Sequence, residues 1–348
     1  MRISGPRLVA YILLGYAAVI FAFGEGFRWH WFWTCFAQFS GSAIPVWGIC
    51  CAALLIGASA RELRTAEPRR PLVLFREFAA EQWNRDRFWA FVWPPLLYVV
   101  LLLFFGLFKQ RVLIQTPFTF DPLFHALDQA IWGTDPWRLS HPSPFLTKFF
   151  AAAYYGWYAP MMLGVMAASM MTKRTQFRDR YITAFVLTWI IVGSVMALLL
   201  PAAGPCYWSD FVGGPNPYAE LMRQLRHDVA ASASYNPVLD AQAYLLQSYG
   251  GHTVAGGGIS AWPSMHVAVA TLFACAAWQV HRIIGIAFAI FTGIIWWGSI
   301  HLGWHYFVDG LTAIPATVAI WWFCGRLYPE HPETRSSALE PALACEAA

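Results

Sequence analysis

Eight stretches of this chain, near residues 8–24, 42–60, 89–108, 149–171, 182–203, 264–280, 283–301 and 305–324, are each about as long as a helix needs to be to cross the hydrocarbon core of a bilayer. In lipid every backbone N–H and C=O must find its partner within the protein, so a chain built of such runs folds as helices. With 58% apolar and 12% charged residues in 348, it has too little polar surface for a water-soluble body of that size. The expectation is an all-α polytopic membrane bundle of about eight transmembrane helices. It divides into N-terminal helices with a basic cytoplasmic loop (1–110), a core (111–326) and a tail (327–348) whose Pro, Glu, Ser and Ala content reads as disordered. No internal repeat and no soluble second domain is visible.

The first run is flanked by Arg2 and Arg7, as in a signal peptide. It is long, however, and the aromatic cluster Phe27–Trp33 follows where small residues would mark a cleavage site, so it reads as a retained anchor. With both termini inside, 16 of the 23 Lys and Arg residues fall in cytoplasmic segments, the asymmetry that orients membrane proteins. This sets the beginnings of the sixth and eighth runs on the outer face of a plasma membrane or its equivalent. The net charge of +4 is explained by that topology and calls for no nucleic-acid partner. Among the seven cysteines, only Cys35 and Cys206 sit in expected outer segments, where an oxidising compartment could join them.

Between the spans, the arginine-rich segment 61–88 places Leu74, Phe75, Phe78, Ala79 and Trp83 at helical spacing, as in a basic amphipathic helix on the inner leaflet. In 112–147, Asp121-Pro122 opens a short helix, Leu123, Leu127, Ala130 and Ile131 share one of its faces, and Gly133 with Asp135-Pro136 stops it. Such a helix would lie flat and roof the bundle. Tyr154, Tyr155, Trp157 and Tyr158 read as an interfacial aromatic belt. The loop 206–260, ending in Gly256-Gly257-Gly258, is longer than a connection requires and is expected to cover or gate a site.

Three ionisable residues at membrane boundaries stand out. His305 and Asp309 are four apart, so on a helix they share a face, and the carboxylate would fix the imidazole tautomer and leave its other nitrogen basic. His266 follows Pro263-Ser264 at a helix start, where free N–H groups and the positive dipole end favour an anion. A second histidine there is suited to protonating a leaving oxygen and later deprotonating an acceptor. His30, His125, His141, His281 and His331 read as structural hydrogen-bonders.

Pro-Ser-Met-His at 263–266 and His-x3-Asp at 305–309 resemble the second and third signature motifs of the type-2 phosphatidic acid phosphatase (PAP2) superfamily. The strings AWPSMH and HYFVD, with the Asp-Pro-Leu…Leu-Asp…Gly-x-Asp-Pro segment before them, look most like its inositol phosphorylceramide synthase, or inositolphosphotransferase-like, branch. The resemblance spans about residues 120–325. It implies a PAP2-like core and phosphoryl transfer through a phosphohistidine without a cofactor or metal, on membrane lipids or lipid phosphates. His305 would be the nucleophile, Asp309 its orienting carboxylate and His266 the general acid and base. Ser264 and Met265, with nearby amides and with Ser299 and His301, would surround the phosphate. Two cationic positions of the superfamily are missing, since Val195–Trp208 holds no basic residue and Ser299 replaces an arginine. That loss favours the inositolphosphotransferase-like branch. It leaves the phosphate charge to helix-end amides, with Arg223, Arg226, His252 or His301 as helpers.

Other readings stay open at this point. Hydrolysis of a lipid phosphate or polyprenyl diphosphate needs the same residues. His301, His305 and Asp309, spaced i, i+4 and i+8, could ligate zinc on one helical face. A transporter or non-catalytic scaffold would show paired broken helices, and none is evident.

Overall fold

The computed structural model describes residues 4–23, 29–62, 73, 76–77, 85–140, 143–169, 171, 175–232, 235–250 and 256–329. The basic 61–88 helix falls almost wholly outside these residues. His252, His141, His331 and the tail beyond Pro329 lie outside them as well.

Among the described residues the protein is all-helical. In chain order it comprises α1 (Gly5–Phe23), α2 (Trp29–Glu62), α3 (Arg85–Arg111), α4 (Asp121–Trp132), α5 (Pro144–Gly156), α6 (Tyr158–Ser169) and α7 (Thr175–Leu187). Short helices α8 (Ala219–Ala230) and α9 (Val238–Gln247) follow, and then α10 (Met265–Val280), α11 (Arg282–His301) and α12 (Phe307–Leu327). The chain after α7 continues as a wide π-helical turn, Thr188–Met196, so that one helical rod runs over Thr175–Leu199.

Six helical segments are long and apolar enough to cross a membrane: Gly5–Phe23, Phe32–Ala53, Val92–Gln115, Thr175–Leu199, Arg282–His301 and Phe307–Leu327. The expected count of eight is not met, for two local reasons. The run at 149–171 is broken at Trp157 into α5 and α6. The helix at 264–280 has only 16 residues, about 24 Å at 1.5 Å per residue.

The shortness of α10 suits its place. Val267, Ala268, Val269, Ala270 and Leu272 are all fully buried, so α10 is the central post, packed between α11 and α12. One core joins N-terminal and C-terminal helices, with Val9 and Leu13 of α1 and Leu97 and Leu101 of α3 in the same cluster as Ile182, Val267 and Ile320. Cys35 is buried in α2 against Tyr16 and Leu107, and both it and Cys206 are free thiols.

Helix α4 is amphipathic in the reverse sense to a water-facing helix. Leu123, Leu127 and Ile131 are exposed, whereas Asp121, Phe124 and Asp128 are buried. The two carboxylates, seven residues apart and so on one face, turn inward onto backbone N–H groups of other segments. Asp121 accepts from Ala203 N (2.9 Å), Gly204 N (2.7 Å) and the Tyr306 hydroxyl (2.8 Å). Asp128 accepts from Phe307 N (2.7 Å) and Val308 N (3.1 Å), the orphan donors at the start of α12. The helix expected within 112–147 is therefore held by its two buried carboxyl groups, with its apolar side chains left exposed. Gly204 is required where it stands: its φ is +103°, and a Cβ would sit 2.6 Å from the carbonyl oxygen of Trp304.

Candidate active site

The C-terminal end of α3, the π-helical turn after α7 and the N-terminal end of α10 meet at one end of the bundle, beside the loop before α12. Between them lies a cavity of about 620 Å³. Its wall includes Lys109, Tyr154, Trp157, Trp189, Met265, His266, Trp304 and His305. The 206–260 segment contributes Tyr207, Leu245, Gly256, Gly258 and Ser260, so the long loop does pack over the site.

His305 does not stand on a helix. Helix α11 ends at His301, a turn containing Gly303 at φ +75° follows, and α12 begins at Phe307 with Tyr306 as its cap. The His305–Asp309 pairing survives because Asp309 is the third residue of α12 and reaches back over the cap. Its Oδ2 accepts from Tyr306 N at 2.9 Å and lies 3.1 Å from His305 Nδ1. This is a capping box, with the imidazole as an additional donor. Asp309 is fully buried. A carboxylate accepts, so Nδ1 carries the hydrogen and the lone pair of Nε2 is left free. Ser299, fully buried, holds the turn from below: its carbonyl accepts from Trp304 N (2.9 Å) and His305 N (3.3 Å).

His266 is the second residue of α10. Ser264 caps that helix, its hydroxyl accepting from Val267 N, and its own N–H donates to the carbonyl of Asp309 (3.3 Å). Pro263 therefore precedes the cap instead of occupying the first turn. The Ser264–Asp309 bond ties the start of α10 to the start of α12, and it sets the two imidazoles 6.3 Å apart, centroid to centroid. The Tyr154 ring stacks on His266 at 4.0 Å and its hydroxyl lies 3.0 Å from Nδ1, while Trp157 closes the other side at 4.5 Å.

Of the residues singled out in the sequence, His266, His305 and Asp309 thus converge, and Met265 lines the cavity with them. Ser264 and Ser299 are buried behind it as a helix cap and a turn anchor. His301 turns elsewhere. Its Nδ1 lies 2.8 Å from Ser140 Oγ and its Nε2 2.9 Å from Thr147 Oγ1, which in turn donates to the buried Asp228 (2.7 Å). The three-ligand face of His301, His305 and Asp309 is not formed, because the helix stops between the two histidines. No group of three or more metal-ligating side chains occurs among the described residues. Arg223 and Arg226 are exposed on α8 and do not line the cavity.

Three contributors were not singled out from the sequence. Tyr154 and Trp157, read as belt aromatics, are only 4% and 2% exposed and line the cavity. Lys109 ends a long apolar run, a position where a lysine ordinarily snorkels to the interface. The signal that could have found Tyr154 is its spacing of four from Phe150, which puts both on the buried face of α5.

Among the described residues, an all-helical bundle with six helices of bilayer length and a buried His–Asp pair beside a second histidine defines a membrane-type helical protein. The PAP2 superfamily model matches residues 124–323, and the chain belongs to that superfamily. Its members are usually phosphatases or phosphotransferases. No curated protein and no solved structure matches the chain at a significant level.

Proposed function

We propose that this protein is an integral-membrane phosphotransferase acting on lipid-linked phosphate, of the inositolphosphotransferase-like kind, with its site facing the non-cytoplasmic side. The observation that carries the reading is the free Nε2 of His305, fixed by Asp309 and facing His266 within one cavity. In the first step Nε2 attacks phosphorus, an N–P bond forms and the P–O bond to the leaving group breaks, with His266 donating a proton to the departing oxygen. In the second, His266 takes the proton of an acceptor hydroxyl as that oxygen attacks, and the N–P bond breaks. Asp309 holds the tautomer through both steps.

A lipid-linked substrate is supported by the shape of the cavity wall. Tyr98, Leu102, Phe105 and Lys109 all line it from α3. At i, i+4, i+7 and i+11 they share one face of that helix, giving about 16 Å of largely apolar wall below the ammonium. A phosphate near the histidines with an acyl or prenyl chain along this wall fits. The outward orientation rests on the distribution of Lys and Arg.

The test is to supply purified protein with labelled phosphatidic acid, phosphatidylinositol or polyprenyl diphosphate, with and without an alcohol acceptor such as inositol or ceramide. Label appearing in the acceptor lipid is the expected result. Free phosphate as the sole product, whatever acceptor is present, would replace the transferase reading with hydrolysis by the same residues. Activity lost to EDTA and restored by zinc would overturn the direct histidine mechanism.

A further inference from the structure

A phosphate drawn into this cavity brings negative charge into an apolar surrounding, where an uncompensated charge is costly. Most of the backbone donors that might meet it are taken. The amides of Ala203 and Gly204 bond Asp121, those of Phe307 and Val308 bond Asp128, and those of Tyr306 and Ser264 bond Asp309. The first-turn N–H groups of Met265 and His266 have no partner within their helix.

Among the described residues that line the cavity there is no carboxylate, and Lys109 is the one Lys or Arg. No described carboxylate pairs with it. The nearest described partner for its ammonium is the Phe105 ring, 5.7 Å away. The segment that roofs the cavity wraps its stem: Gly258 has φ +94°, and a Cβ there would meet Lys109 Cβ at 2.8 Å. Lys109 lines the same cavity as His266 and His305. An ammonium with no described carboxylate partner, on the wall of a cavity whose described lining holds no carboxylate, fits a ligand rich in oxygen anions.

We infer that Lys109 is the phosphate-binding cation of this site, meeting the non-bridging oxygens of the group that His305 attacks. The inference rests on the phosphoryl-transfer reading for its catalytic sense, but the anion site itself is testable without turnover. It also assigns the charge that Val195–Trp208 and Ser299 do not supply to α3, a helix outside the matched 124–323 segment.

The experiment measures binding of inorganic phosphate to the full chain in detergent, by calorimetry and by the rise in thermal midpoint, for wild type, Lys109→Gln, Lys109→Arg and Arg223→Gln. Lys109→Gln should weaken phosphate binding about 10- to 100-fold, the range for losing a charge-assisted hydrogen bond. Lys109→Arg should restore most of it, and Arg223→Gln, an exposed cation away from the cavity, should leave it unchanged. Equal affinity in wild type and Lys109→Gln, or no binding to wild type, would overturn the inference. If Lys109→Gln fails to fold, protection decides: added phosphate should slow acylation of the Lys109 amine in wild type, and acylation at the same rate with and without phosphate would overturn the inference. Lys109-dependent binding in a protein that turns over no lipid phosphate would keep this site and reject the proposed function. Turnover with Lys109-independent phosphate binding would do the reverse.

Discussion

The hydroxyl of Tyr154 lies 3.0 Å from Nδ1 of His266, with the two rings stacked at 4.0 Å. A phenol on one ring nitrogen fixes which nitrogen faces the cavity, so Tyr154 is a positioning residue for the histidine assigned as general acid and base. Tyr154→Phe keeps the stacked ring and removes only that bond. Turnover is expected to fall about tenfold, in line with the loss of one hydrogen bond, with KM and thermal midpoint close to wild type. A change confined to stability would assign Tyr154 to packing alone.

Asp309→Asn should be more damaging. Tyr306 N and His305 Nδ1 meet the same oxygen, Oδ2, so an amide can keep both bonds there but replaces a negative charge with a neutral acceptor. The imidazole then loses the charge that holds hydrogen on Nδ1 and makes Nε2 nucleophilic. A fall in kcat of about 10²–10⁴ is expected, the range of general acid–base contributions, while KM for a lipid phosphate changes little. Steady-state kinetics on a protein of unchanged elution volume would check it.

Asp128 makes stability depend on pH. Burial pushes its carboxyl up from an ordinary value of 3.8 to about 7, against the two amide bonds from Phe307 and Val308, and the nearby negative charges of Asp309 and Asp135 push the same way as burial. Between about pH 4 and 7 the folded state holds a proton that the unfolded chain does not. The stability this group contributes is therefore full below the unfolded value and lost as pH rises through about 7. Thermal unfolding from pH 5 to 8.5 should show the midpoint of wild type falling from pH 5 to about 7 and levelling off above it, and Asp128→Asn should flatten that slope. A slope unchanged in the variant would remove Asp128 as its source.

Thr147 joins the cap to the membrane helices. Its hydroxyl donates to Asp228 on α8 and meets His301 at the end of α11. Thr147→Val keeps the shape and strands a buried carboxylate oxygen, at a cost of about 1–3 kcal/mol. Proteolysis within 206–260 should accelerate while the helical circular dichroism stays constant.

Much of this architecture could be read from the sequence. Bilayer-length apolar runs dictate helices, and the His-x3-Asp spacing allows the imidazole and carboxylate to meet. Yet that meeting comes about differently from the expectation. The spacing expects His305 and Asp309 together on one helix, but the chain is still in its turn at His305 and Asp309 caps backwards. The same turn sends His301 away to Ser140 and Thr147. Helix α4 was legible as a helix but not in its orientation, because an apolar stripe faces the core of a water-soluble protein and is exposed here. Tyr154 and Lys109 are local ambiguities of the same kind. An aromatic or a lysine near the end of an apolar run has the composition of a boundary residue, and only the packing of distant helices turns it toward a cavity.

The most direct test of the account is to trap the covalent intermediate. Purified protein is mixed briefly with phosphatidic acid carrying ³²P in its headgroup, quenched in alkali, and the label is mapped. The account predicts acid-labile, alkali-stable phosphate on His305 in wild type and none in His305→Asn. Label on any other residue, or turnover by His305→Asn at the wild-type rate, would contradict it.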